Sequence, residues 1–450
     1  MSAPIVAIPP EIKRMILENL ETDATDLFNM SLVHSGWRAL ATEEKWKIVG
    51  PLGFEHLMNP TEIHRADRQT FINHIQELEI YGHRSRQHET RHLNFRNLRS
   101  LAIRHPRRVP GYNLNVSQFF GPRLTELCIE GHSVPPPLVS VPDNYLLNLG
   151  QCPNLTRLEL CRHIQDATPD QLMTVLDTLT NLQYIGVSRG ASDLVQADTV
   201  IRIARMPLIK GVVLDFEIDQ NLAETIRDTV PYAFNNLEKA VLTMTEEGAR
   251  TVIQSQIMDT VEQFDLSVTT LVHGVLNHIR RLPNLKRLAL ETRIPPPDFA
   301  LINYPMLVDL AAIRHLTHLE MRAPPLGYNV QRITLPAVEA FLVQFRRLKV
   351  IRLDWDNRNE GNQFSSVAMF DRVGRMCPDL KELSLRGRWA PFNLSFNGAT
   401  MHLPLFRLYH SGDDVIFPNL RKLSLSMLQV PFEFAPTIHT LPMNPSTDPM

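Results

Sequence analysis

A chain of 450 residues, 44% of them hydrophobic, has the length of about three ordinary soluble domains. Its 46 Lys and Arg nearly balance its 48 Asp and Glu, so no net positive field favours nucleic acid or an anionic membrane. The four cysteines, Cys128, Cys152, Cys161 and Cys377, have the spacing of neither a metal site nor a disulfide framework, and they predict reduced thiols.

No basic stretch followed by an apolar core opens the sequence, and no run of about 18 apolar residues occurs in it. We therefore expect a protein that is neither exported nor embedded in a membrane. The expected location is the cytoplasm, the nucleus or both.

Three short amphipathic helices are predicted within residues 1–50. Pro10 and Glu11 suit the first turn of the first helix, and Asp23 and Ser35 can cap the other two. Helix by helix, the apolar positions are Ile12, Ile16 and Leu20; Leu27, Met30 and Val33; and Trp37, Leu40 and Ala41. Such short helices bury too little surface to be stable alone, so we expect a partner to cover them.

The ordered letters of this stretch resemble the F-box, a three-helix module that docks onto the SKP-type adaptor of cullin–RING ubiquitin ligases. The matching residues are Ile8, Pro9, Glu11, Ile12, Ile16, Leu20, Asp26, Leu27, Leu32, Val33, Trp37, Arg38 and Trp46. Ile8 replaces the usual leucine, and Gly36 precedes Trp37. The resemblance implies adaptor binding by Ile8, Pro9, Ile12, Ile16, Leu20, Leu27, Leu32, Val33, Trp37 and Trp46. The alternative is a helical cap that only seals the end of a repeat array.

After a connector at residues 51–74, one pattern recurs. PNLTRLEL, residues 153–160, has the L-x-x-L-x-L spacing of a leucine-rich repeat, and the spacing returns at residues 283–290, 378–385 and 418–425. The first apolar residues of thirteen candidate strands, roughly 29 residues apart on average, are Ile75, Leu98, Leu124, Leu155, Leu182, Ile209, Leu237, Val261, Leu285, Leu316, Leu348, Leu380 and Leu420. One unit cannot bury its apolar face alone, so the units must stack.

Helical periodicity separates several of these strands. One helix is predicted to open at Thr168 and Pro169, and apolar positions at helical spacing predict others; these positions are Leu172, Val175, Leu176 and Leu179; Leu222, Ile226 and Val230; Leu271, Val275 and Ile279; and Val338, Phe341, Leu342 and Phe345. The fold class is therefore α/β, a leucine-rich-repeat solenoid with a parallel inner sheet and outer helices over residues 75–428. Residues 429–450 contain five prolines and no repeat, and they predict a disordered tail.

Two other sequence patterns could indicate a different function. His88, Glu89 and His92 spell the H-E-x-x-H pattern of zinc peptidases, but a third ligand at the usual spacing is lacking, so a chance match is favoured and no metal is expected. Eight arginines lie between Arg84 and Arg108 with a single acid, Glu89. They indicate either a patch for an acidic partner or, as we favour, a solvated edge.

The polar residues of the strands have mixed signs, which favours a protein ligand over a polyanion. Aromatic residues and an insertion between Leu380 and Leu420 place the predicted target site on the C-terminal half of the array. The predicted target-binding residues are Arg322, Arg352, Trp355, Arg386, Trp389 and Phe392, with the arginines aligned as a basic ladder.

The resemblance implies a substrate-recognition subunit of an SCF-type ubiquitin ligase. Its partners would be the SKP-type adaptor, the cullin scaffold and an unknown protein target, without nucleic acid, membrane or cofactor. The chain itself would not be an enzyme. Two alternatives are a repeat scaffold that uses the same module without ubiquitination, and a zinc peptidase.

Overall fold

A computed structural model gives the fold of this chain in two compact units, Met1–Leu288 and Ala289–Met450. The residues described are 8–19, 32, 35–59, 63, 67–81, 92–104, 117–130, 145–161, 167–230, 232–255, 257–268, 273–292, 301–302, 313, 315–322, 328–330, 343, 346–356, 373–386, 400–402 and 419–426.

Two of the three predicted N-terminal helices are described. Helix α1 spans Pro10–Asn19 and α2 spans Ser35–Lys47. Leu17 of α1 packs with Trp37 and Ala41 of α2 in a small buried core. Arg14 joins the two helices through ion pairs with Glu43 at 3.2 Å and Glu44 at 3.8 Å. The second predicted helix, with Leu27, Met30 and Val33, lies outside the described residues.

The stretch predicted as a connector, residues 51–74, contains two packed helices instead. Helix α3 spans Pro51–Met58 and α4 spans Arg68–Ile72. Phe54 and Leu57 of α3 are buried, and the Phe54 ring lies 6.4 Å from that of Phe119. These helices follow a two-residue strand, β1 (Ile48–Val49), which pairs in parallel with the first repeat strand. Helix α3 therefore packs against β1 and β2 at the start of the repeat array.

All thirteen predicted strand positions are occupied by strands, each beginning two residues after the first apolar residue of its repeat. In the first unit these are β2 (Glu77–Tyr81), β3 (Ser100–Arg104), β4 (Glu126–Glu130), β5 (Arg157–Leu160), β6 (Tyr184–Val187), β7 (Gly211–Ile218), β8 (Lys239–Met244) and β9 (Gln263–Val268), followed by β10 (Arg287–Thr292), which begins at the end of this unit. From β2 to β9 every neighbouring pair is parallel.

The second unit repeats this arrangement. Its strands are β11 (Leu301–Ile302), β12 (His318–Arg322), β13 (Tyr328–Val330), β14 (Val350–Asp356), β15 (Glu382–Arg386), β16 (Thr400–His402) and β17 (Lys422–Ser426). The repeat strands β12, β14, β15 and β17 pair in parallel, and β16 pairs antiparallel to β17. The α/β class with a parallel sheet is thus confirmed.

Helices connect the strands of the first unit, and their ends follow the capping rules. They are α5 (Tyr145–Asn148), α6 (Pro169–Thr178), α7 (Ala197–Ala204), α8 (Gln220–Thr229), α9 (Glu246–Gln254) and α10 (His273–Ile279). Thr168 and Gln171 form a reciprocal capping box at α6, and the Leu222 amide donates to the Asp219 carboxylate at α8 over 2.8 Å. The apolar positions predicted for α6, α8 and the C-terminal part of α10 are buried. The helix predicted around Phe341 and the tail 429–450 lie outside the described residues.

Asparagines lock successive repeats together. In PNLTRLEL the side-chain amide of Asn154 donates to the Pro122 carbonyl of the preceding repeat over 2.7 Å. The equivalent residue, one before the first apolar position, makes the same bond in several other repeats; these residues are Asn97, Asn181, Asn236, Asn284 and Asn419. Each such bond contributes about 0.5–1.5 kcal/mol and fixes the turn that precedes a strand.

Because buried and polar residues alternate along each strand, substitutions on the two faces should change the free energy of unfolding by different amounts. Leu158→Ala should lower the free energy of unfolding by about 2–5 kcal/mol, because its fully buried side chain leaves a cavity between stacked strands. Arg287→Ala, at an exposed strand position, should lower it by less than about 0.5 kcal/mol. Urea-induced unfolding measures both, and equal losses would contradict the side-chain register.

Candidate functional site

Helix α1 exposes apolar side chains on the face that α2 does not cover. Ile12, Met15 and Ile16 have 45%, 57% and 38% of their surface exposed, whereas Leu17 is fully buried. Leu32, ahead of α2, is also exposed. We call Ile12, Met15 and Ile16 the α1 apolar face. Three neighbouring exposed apolar residues on one short helix are a typical docking surface.

Trp37, predicted as a docking residue, belongs instead to the core beneath that face. Only 3% of its surface is exposed, and it packs on Leu17 and Ala41 with the Lys13 ammonium 5.6 Å from its ring centroid. Its large ring was the expected interface anchor, but burying it is what holds α1 on α2. Its contribution to any interface is therefore indirect.

The other predicted adaptor-binding residues have mixed positions. Pro9 is exposed, and Ile8 is half-buried against the Leu17–Trp37 core. Trp46 is half-buried, and its ring centroid lies 5.0 Å from that of Phe71 beside α4. Leu20, Leu27 and Val33 lie outside the described residues.

The strand residues that alternate with the buried leucines form the polar face of the sheet. In the first unit Arg104 lies between Glu79 at 3.2 Å and Glu130 at 3.3 Å. Of the arginine run between Arg84 and Arg108, this member is therefore ion-paired within the sheet. That pairing agrees with the expectation of a solvated edge at this arginine.

The polar face of the second unit is a chain of alternating charges. Arg322 contacts Glu291 and Glu320, Arg352 contacts Glu320 and Glu382, and Lys422 contacts Glu382. Arg352 donates to both carboxylate oxygens of Glu382 over 3.1 Å. Only 15–16% of the Glu320 and Glu382 side chains is exposed in these pairs.

This pattern corrects the predicted basic ladder. Arg352 lies opposite Glu320 on one side and Ser384 on the other, while Arg386 lies opposite Asp354. Arg352 therefore lies in a different row from Arg386, and a carboxylate residue, Glu320 or Asp354, stands directly opposite each of these two arginines. Of the remaining predicted target-binding residues, Trp355 belongs to β14 and Arg386 is the last residue of β15. Trp389 and Phe392 lie outside the described residues.

The polar face of the first unit contains an arrangement that was not predicted. Tyr184 on β6 lies beside two glycines, Gly186 and Gly211, and a Cβ added at Gly211 would overlap its ring. The Arg157 guanidinium is 4.0 Å and the Lys239 ammonium 5.5 Å from the ring centroid. We call Arg157, Tyr184, Gly186, Gly211, Val213, Lys239 and Val241 the Tyr184 patch. A sequence signal existed: Tyr184 and Gly211 occupy a strand position where most other repeats have a charged or polar residue.

Glu159 adjoins this patch and binds two of its neighbours. It accepts a hydrogen bond from the Arg157 guanidinium and one from the Cys128 thiol at 3.2 Å. Burial and the Glu159 charge raise the pKa values of the Cys128 thiol and the Tyr184 phenol. Burial likewise raises the pKa of Cys152 to about 11 and that of Cys377 to about 12. Burial therefore favours the neutral thiol form of Cys128, Cys152 and Cys377, which is a weaker nucleophile than the thiolate.

The described part of the chain contains neither a candidate metal cluster nor a candidate membrane-spanning helix. Of the H-E-x-x-H string, His88 and Glu89 lie outside the described residues. Among the residues that are described, no group of three or more His, Cys, Asp or Glu side chains is placed to hold a metal ion. Within the same residues, no helix combines the length and apolarity needed to span a membrane.

No protein-family model matches this chain, and a search of curated proteins likewise gives no match. The established architecture is therefore an α/β fold whose parallel strands follow one another in chain order within each unit.

The charge chain of the second unit predicts an acid-sensitive contribution to stability. Burial alone would raise the pKa of Glu382, but hydrogen bonds from Arg352 and Lys422 outweigh it and lower the pKa below the ordinary value of 4.5. A lowered folded-state pKa stabilises the fold above the unfolded-state pKa, and this stability is lost as the pH falls through the folded value.

Glu382→Gln should therefore make the free energy of unfolding depend less steeply on pH between about pH 5 and pH 3. Urea unfolding at several pH values measures this slope. Glu238→Gln, which removes a solvent-exposed carboxylate paired with Lys210, is the control and should change the slope less. A slope unaltered by Glu382→Gln would contradict the ion-paired assignment.

Proposed function

We propose that this chain is the substrate-recognition subunit of an SCF-type cullin–RING ubiquitin ligase, with an F-box at residues 1–50 and a leucine-rich-repeat array. The observation that carries the proposal is the α1 apolar face. Ile12 and Ile16 match the F-box pattern in sequence, and both are exposed on a helix that Trp37, another match, anchors from beneath. Exposed apolar residues on a helix held in place by a buried tryptophan are available to an adaptor.

The position of helices α3 and α4 supports docking over simple capping. A terminal repeat needs a cover for its apolar end, and Phe54, Leu57 and Ile72 of these two helices are buried, with α3 packed against β2. Helices α3 and α4 can therefore contribute to that cover. A cap gains no stability from apolar residues that point to water, so the α1 apolar face needs another explanation.

The proposed chain carries out no bond chemistry. Its N-terminal module would hold the SKP-type adaptor and cullin scaffold, and the polar face of its sheet would hold a target protein. Joining the two raises the concentration of target lysines near the transferred ubiquitin. The mixed charges of the polar face suit a protein target, because rows of alternating sign repel a polyanion as much as they attract it.

Adaptor binding is tested by substituting the exposed residues only. Ile12→Ser with Ile16→Ser should weaken binding to a purified SKP-type adaptor by about 30-fold or more, since two partly exposed isoleucines lose burial worth about 2–4 kcal/mol in total. Isothermal titration of the full chain measures the change. Leu52→Ser, which alters an apolar residue of α3 that is 66% exposed, is the matched control and should bind normally.

Equal adaptor binding by the Ile12/Ile16 variant and by the unmodified chain would refute the F-box assignment. The non-degradative scaffold makes a different prediction in cells: the adaptor co-purifies, yet no captured protein accumulates when the cullin is inactivated. Trp37→Ala is unsuitable for this test, because it opens the core of the module and costs about 3–5 kcal/mol of its stability.

The zinc peptidase is the remote alternative from the sequence, after the non-degradative scaffold, and elemental analysis decides it. The purified chain should contain well under one zinc ion per molecule. His88→Ala should leave the unfolding free energy nearly unchanged, because no metal is lost. One zinc per chain that disappears in His88→Ala would overturn the proposal in favour of the peptidase.

A further inference from the structure

We propose that the Tyr184 patch binds an extended segment of a partner protein that carries a side-chain carboxylate beside an aliphatic residue. The inference deepens the proposed function, because it gives target capture a place and a chemistry. It depends on that function only for the statement that the bound partner is a target.

Two cations converge on one aromatic ring in this patch. Arg157 comes from β5 and Lys239 from β8, on opposite sides of Tyr184 in strand order, and both approach its ring. The ring lies beside Gly186 and Gly211, and the missing side chain of Gly211 leaves it room on the sheet. Attraction to the ring holds the two cations in place before a ligand arrives. Binding a negatively charged ligand therefore costs less side-chain entropy.

The cations of the patch differ from those of the second unit in their partners. Arg322, Arg352 and Lys422 each lie within 4.0 Å of a carboxylate. Arg157 is paired with Glu159, but the half-buried Lys239 has no ion pair with any residue in the described part of the chain. A partly desolvated ammonium without a counter-charge gains most from an incoming carboxylate.

Neighbouring acidic residues favour a ligand that has a single, isolated negative charge. Glu159 adjoins Tyr184, and Asp215 on β7 and Asp265 on β9 stand on the same polar face, each with an interaction of its own. Several phosphates in a row would meet these carboxylates at close range. One acidic side chain over Lys239 avoids them, so a protein segment fits better than a nucleic acid.

An aliphatic ledge lies next to the cations. Gly186, Val213 and Val241 are register partners on β6, β7 and β8, and both valines are half-buried. Beyond Leu214 the register of β7 shifts, so that Asp215 and Phe216 are extra residues relative to β8. Bulges of this kind re-aim side chains beside binding sites. The bulge begins two residues after Val213, so it adjoins these valines along β7.

The span of the patch sets the length of the segment. From β5 to β8 there are three strand spacings, roughly 14 Å, which an extended chain crosses with about four residues. A short linear segment is therefore sufficient, and no folded domain has to enter the sheet face.

The test uses the full-length chain and labelled heptapeptide pools. All pools have Val or Leu on both sides of the central residue, which is Asp in one pool, Asn in the second and Lys in the third. Fluorescence anisotropy should show at least about fivefold tighter binding of the Asp pool than of the Asn pool, since a charged hydrogen bond is about twice as strong as a neutral one.

Variants connect this preference to the patch. Lys239→Gln should bind the Asp and Asn pools equally, Lys239→Arg should keep the preference, and Val213→Glu should weaken the binding of both pools. Lys210→Gln, which removes an exposed cation paired with Glu238 outside the patch, is the control and should keep it. Equal binding of the Asp and Asn pools by the unmodified chain, tighter binding of the Lys pool, or a preference that survives Lys239→Gln would each overturn the inference.

The preference for the Asp pool should not depend on adaptor binding. The Ile12/Ile16 double variant should keep the Asp preference, because its substitutions lie in the N-terminal module. Loss of the preference in Lys239→Gln together with absent adaptor binding would refute the F-box proposal and leave the site intact. Normal adaptor binding without any peptide preference would refute the site alone.

Discussion

One backbone hydrogen bond, repeated along the chain, sets the register on which everything else depends. The amide of the residue just before each strand donates to the carbonyl of the equivalent residue one repeat earlier. The distance is 2.8 Å from Thr156 to Thr125, from Gln183 to Thr156 and, in the second unit, from Lys381 to Lys349. Because this bond fixes which residues stand opposite each other, it decides at once which leucines are stacked and which charges are paired.

The same register separates stability from recognition. Side chains on one face of the described repeat strands are buried, so a substitution there changes the core. Those on the other face reach their counterparts on neighbouring strands. In the second unit this pairs Arg352 with Glu320 and Glu382, a rigid and self-neutralised surface. In the first unit it leaves Tyr184 between two cations, where the chain satisfies its own charges less completely.

The strands could be predicted because their signal is local and repeated. Leu155, Leu158 and Leu160 identify one strand within a single repeat, and the recurrence of that spacing identifies its neighbours. The partners of Arg352 could not be predicted in this way, because they depend on register between residues about 30 positions apart. The burial of Trp37 was missed for a related reason: a resemblance names the residue types of a module but not which of them face inward. Residues 51–72 lack the repeat spacing, so their sequence predicts only a connector where the structure has α3 and α4.

Gly186 and Gly211 show why the Tyr184 patch is more than a by-product of the repeats. Glycine within a strand weakens the sheet by roughly 0.5–1 kcal/mol through backbone entropy, and it provides no side chain to pack. Here two glycines occur on adjacent strands in the interior of the first unit, at strand positions where the other repeats have a side chain. Gly211 supplies room for the tyrosine ring, since a Cβ there would displace it. The glycine lowers the stability of the sheet, and its only visible effect is to place an aromatic side chain between two cations. A binding role for that side chain explains why the loss of stability is tolerated.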